Sequence, residues 1–160
     1  MYFYKMIKLL ISIYFTVLSF FVSAQIDFKN PPWKTGCESD SAANQPAMNE
    51  CSYVQFNIAD SILNTLYEFH IKKQEKFHNE IKEWHKDDND SFTLNLLKQS
   101  ENLINSIKKS KADFIAFRTS SCDIIKYQYQ GGSMAPLARN YHALELTVNQ
   151  IRILEEMKNE

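Results

Sequence analysis

Three groupings in this 160-residue chain have residue types that could do chemistry. His78 and His85 stand seven apart, two turns of a helix, so both rings would share a face with Glu and Asp nearby, the beginning of a surface metal site. No third ligand is fixed by spacing and no HExxH-type element is present, so the pair reads as ordinary helix surface, and His70 and His142 as ordinary helix residues. Ser120-Ser121-Cys122 offers nucleophile types, yet no motif places a base beside them. Gly131-Gly132-Ser133, ahead of a helical stretch, could hold an anion on helix N–H groups, but the simpler reading is a helix end followed by a Ser133 cap. No catalytic constellation, metal or cofactor is expected.

A fourth grouping is a row rather than a cluster. Asp60, Asn64 and Tyr67 fall at i, i+4 and i+7, along one edge of the apolar stripe in Met48 to Tyr67. Polar groups in register could form a buried or partner-facing network. The plain alternative is a solvated helix edge with Tyr67 half on the core, since burying such groups is costly unless each is hydrogen-bonded.

The elements that must position these residues are helices. Met48, Cys51, Gln55, Ile58, Ile62, Leu66 and Phe69 recur at steps of three and four, widened by Val54, Ala59 and Leu63. Pro46 suits a first turn, where its missing N–H would have no acceptor. A helix is therefore expected from near residue 45 to about His85, ended by Asp87-Asp88-Asn89-Asp90-Ser91, a turn with Asp90 or Ser91 capping the next helix. That second helix carries Leu96, Leu97, Leu103, Ile104, Ile107, Phe114, Phe117, Cys122 and Ile125 on one side, with a polar interval at Ser100 and Lys111. Gly131-Gly132 closes it by supplying a left-handed conformation. Leu137, Tyr141, Leu144, Val148, Ile151 and Leu154 predict a third helix over about 136–157. The fold class is all-α: an antiparallel hairpin plus a C-terminal helix, with a disulfide-tied leader.

Residues 1–24 read as a secretory signal. Lys5 and Lys8 precede an apolar run from Leu9 to Val22, and Val22-Ser23-Ala24 supplies small residues for cleavage before Gln25. An uncleaved anchor is the alternative, though the run is short for a membrane span. Losing Lys5 and Lys8 removes two of 18 basic residues against 19 acidic ones, so the formal charge moves from −1 to −3. A mildly acidic chain lacks the basic face nucleic acid requires. Roughly 136 residues then remain, divided into a leader over 25–45 and a helical domain over 46–160, enough for one modest core. Only three Gly and four Pro in the whole chain favour helices over strands.

The leader contains Pro31-Pro32 and Gly36 and is expected to lie extended against the helices, pinned by Trp33. Export to an oxidising compartment makes Cys37 and Cys51 a natural bridge, worth roughly 3 kcal/mol for a loop of about 15 residues. Cys122 is then left over, as a buried small hydrophobe, a free thiol or an intermolecular one.

Taken together, Met48-Asn49 with Cys51, Ala59-Asp60, Leu63-Asn64, Tyr67, then Phe114-Ile115-Ala116-Phe117-Arg118 with Cys122, Gly131-Gly132-Ser133 and Glu145-Leu146-Thr147 resemble the LprI-type lysozyme-inhibitor amino-terminal domain family. The resemblance runs from about Cys37 to Leu154. Departures are Phe114 and Phe117, where the family favours Trp and Tyr; His142 and Gln150, where it has Cys and Arg; and a longer segment from Ile71 to Leu96, which implies an extended hairpin. The resemblance marks Asp60, Asn64, Tyr67 and Arg118 as signature polar positions and implies a hydrogen-bonded Asp60–Arg118 contact holding two helices in register. It also implies a small, exported, non-enzymatic envelope protein that binds a lysozyme-type muramidase. A scaffolding module for another envelope protein is the alternative. Glu83, Asp87, Asp88 and Asp90 at the hairpin tip would meet a basic enzyme, unless they are simply a solvated turn.

Overall fold

The computed structural model describes residues 26–34, 44–84 and 91–159. The expected signal over 1–24, together with Cys37, His85, Asp87, Asp88 and Asp90, lies outside the described residues.

Three helices make up the body: α1, Gln45–Trp84; α2, Ser91–Gln128; and α3, Ala135–Glu156, continued by a 3-10 turn at Met157–Asn159. Every pair of them packs together, and no strand occurs among the described residues. The start of α1 follows from its sequence: Asn44 Oδ1 accepts the Ala47 N–H at 3.0 Å, and Pro46 sits in the first turn. At the other junction Gly131 has φ +82°, the left-handed region that favours glycine, and Gly132 N–H donates to the Tyr129 carbonyl at 3.0 Å. The expected Ser133 cap is corrected. Met134 occupies the cap position without a side-chain bond, and the Ser133 carbonyl instead accepts from Asn49 Nδ2 at 3.2 Å, tying the α2–α3 turn to the start of α1.

The core is built from Ala59, Leu63, Leu66, Tyr67 and Ile71 of α1, Ile107 of α2, and Ile151 and Leu154 of α3. Trp33 joins it at 5 % exposed, as expected of a residue that pins the leader to the helices. The leader around it is not fully extended, because Pro32–Lys34 turn as a short 3-10 helix against α1. Phe28 braces Trp33 edge-on at 6.1 Å and lies under the Arg152 guanidinium of α3.

Several stripe residues are not core. Leu103 is 43 % exposed, Phe117 57 % and Tyr141 48 %, while Ser100, expected as a polar interruption, is buried. Three helices cover only part of one another's circumference, so the wider edges of each stripe remain in water. No disulfide joins two described residues, since Cys37, the expected partner of Cys51, is not among them. Among the described residues, no helix is long and apolar enough to cross a membrane.

Candidate functional site

The row on α1 reaches across both neighbours. Arg118 on α2 places Nη1 2.6 Å from Asp60 Oδ1, so the expected contact is present. The same Nη1 donates to Thr147 Oγ1 of α3 at 2.8 Å, and Thr147 in turn donates to the Ala143 carbonyl at 2.7 Å. One guanidinium thus joins all three helices. It is also held between aromatic faces, 5.0 Å from the Phe56 ring centre and 5.4 Å from that of Phe114, where a planar cation is attracted to the ring quadrupole.

Asn64 turns back along α1, donating from Nδ2 to the Asp60 carbonyl and to Asp60 Oδ2. It orients the carboxylate rather than crossing the interface. Tyr67 is 1 % exposed, and its hydroxyl accepts from Gln150 Nε2 at 2.9 Å and meets Ser110 Oγ at 3.4 Å. The half-solvated edge is therefore replaced by a second three-helix tie. Gln150 and Thr147 were legible only as motif positions; nothing in their spacing assigned them these bonds. Among the described residues every buried side-chain nitrogen and oxygen has a partner, which is the condition for such a network to rigidify a small core.

The other candidates separate. His78 Nδ1 meets Ser100 Oγ at 2.6 Å, which accounts for its ring without a metal, and among the described residues no cluster could hold one. His70 is buried, with Nε2 donating to the Leu154 carbonyl at 2.8 Å. Ser121 does acquire a base that the sequence could not place: its Oγ lies 2.7 Å from His142 Nε2 on α3. Among the described residues no further hydrogen bond orients that ring, and both members sit inside helices whose N–H groups are engaged, leaving no oxyanion donors beside them. The pair ties α2 to α3. Surface hollows are open; one is lined by Ser106, Lys109, Ser110, Asp113, Phe114 and Phe117, all of α2, and another lies between α2 and α3, beside Asp123, Lys126 and Arg139. Glu83 is exposed near the end of α1.

Cys122 is free and 2 % exposed. A thiol so placed packs as a small hydrophobe, and a bridge to another chain would require it to be uncovered first. Burial pushes its thiol above the ordinary value, with Arg139 and Arg118 pulling weakly the other way. Because the folded state holds this proton more tightly, its contribution to stability is complete below the ordinary thiol pKa and is lost as pH climbs through the raised folded value. An aromatic-disulfide thiol reagent at neutral pH should therefore label Cys122 at least tenfold faster in denaturant than in the native protein. Equal rates would place the thiol at the surface.

The chain is matched over residues 37–154 by the model of a family described as Lysozyme inhibitor LprI. No curated protein and no solved structure matches it.

Proposed function

Since the chain belongs to the LprI lysozyme-inhibitor family, we propose that it is an exported, non-enzymatic envelope protein that binds and inhibits a lysozyme-type muramidase. The family match over residues 37–154 carries this reading. The family is one of inhibitors rather than enzymes, and the Ser121–His142 pair has no oxyanion donors beside it among the described residues. Export rests on the signal-like segment over 1–24 and agrees with the cysteines: Cys51 is a bonded rather than a free thiol, and Cys37 is the partner we assign it.

The contact we assign to the enzyme is the acidic end of the hairpin, Glu83, Asp87, Asp88 and Asp90. Unlike charges raise the encounter rate with a basic enzyme and make the affinity sensitive to salt.

The test is lysis of a peptidoglycan suspension by a basic lysozyme, with and without the purified protein, at low and moderate salt. Dose-dependent inhibition that weakens with salt is expected. Changing the four tip acids to Asn or Gln should weaken inhibition on the order of tenfold. Absence of inhibition at large excess, with the protein shown to be helical, would favour the scaffolding module instead.

A further inference from the structure

The α1–α2 hairpin is longer than the helix that covers it. His70 meets the Leu154 carbonyl close to the end of α3, yet α1 continues from Ile71 to Trp84, about 20 Å further at 1.5 Å per residue. The first turns of α2 accompany it. The resulting two-helix arm is fastened by the His78–Ser100 bond and buries Ile81, Thr93 and Ser100 between its helices.

The groove that holds α3 runs on along this arm. On α1, Ser52 and His70 lie about five turns apart, and both bond α3, through Asn140 and Leu154. Phe77, one heptad beyond His70, stays within about 20° of that line. On α2, Ser121 bonds His142 of α3, and Leu103 lies about five turns before it on the same line, with Phe92 roughly three turns earlier again. Where α3 is present the α1 line is buried, at Ser52 and His70. Past its end Phe77 is 49 % exposed, Leu103 43 % and Phe92 68 %. Large apolar side chains aligned this way mark a contact surface.

Charge identifies what covers it. Lys73 and Glu80 flank Phe77 on one edge of α1, one heptad apart and of opposite sign. Glu80 has only a long 3.8 Å contact with Lys76, and Lys73 enters no ion pair among the described residues. A two-fold axis across α1 near Phe77 brings Lys73 of each copy opposite Glu80 of the other. We propose that a second copy of this chain occupies the groove, the two arms packing antiparallel as a four-helix bundle with Phe77, Leu103 and Phe92 in its seam. This goes beyond the muramidase reading and does not depend on it.

Sedimentation equilibrium of the purified protein over a concentration series tests the dimer. A reversible monomer–dimer equilibrium is expected, and Phe77→Glu should leave a monomer with unchanged far-UV circular dichroism. Lys73→Glu and Glu80→Lys should each weaken the dimer on the order of tenfold, because a two-fold interface counts every change twice. The double variant Lys73→Glu/Glu80→Lys should recover it by restoring unlike pairs. A protein monomeric at every concentration, a dimer indifferent to Phe77→Glu, or a double variant no better than either single one overturns the proposal.

Discussion

Replacing Asp60 with Ala should destabilise the protein by about 3 kcal/mol, on the order of 10 °C in Tm. Arg118 is 8 % exposed, so loss of its carboxylate partner strands a cation beneath Phe56 and Phe114 with only the Thr147 hydroxyl in reach. Breaking one side of a buried pair costs about 3–5 kcal/mol. The Asp60 side chain is 31 % exposed, so water screens part of the interaction and the lower end applies. The effect should be strongly non-additive. Arg118→Met in the Asp60→Ala background removes the stranded charge and keeps the stem packed between the rings, so the double variant should regain part of the loss. Thermal unfolding followed by circular dichroism measures both. An unaltered Tm for Asp60→Ala would mean that the network contributes nothing to holding the helices together.

Replacing Trp33 with Ala should cost about 3–4 kcal/mol, read as a lower urea midpoint with little change in slope. Trp33 lies on a short leader rather than on one of the three helices, yet it belongs to the same core cluster as Leu63, Tyr67 and Ile151. Removing the indole empties volume between rigid helices that cannot collapse far to fill it. It also frees Phe28, whose other neighbour is Arg152 of α3. Trp33→Phe should lose much less, because a ring still fills most of the site. If Trp33→Ala unfolded at the same urea concentration as the parent, the leader would be an ornament on a self-sufficient bundle.

Both sites show why part of the structure was legible and part was not. Periodicity is a property of neighbours in sequence, so the stripe from Met48 to Phe69, the Pro46 start and the glycine turn at 131 located the helices to within a residue or two. The Asp60–Arg118 contact came from resemblance; periodicity only placed Asp60 on an edge. Ser121 with His142, Tyr67 with Gln150 and His70 with the Leu154 carbonyl could not be foreseen, because each joins positions on different helices whose relative rotation no local pattern fixes.

The same limit explains the residues that a stripe called apolar and the fold leaves in water. Leu103, Phe117 and Tyr141 have the spacing of core residues, yet each lies on an edge of its helix that two neighbouring helices do not reach. By itself the sequence determined three amphipathic helices, their order and their turns, since these follow from side-chain spacing and backbone preference over a few residues. Only the tertiary structure decided which polar side chains meet and where the apolar groove runs out of partner. Those depend on how far one helix extends along two others, and that is settled by packing between segments far apart in the chain.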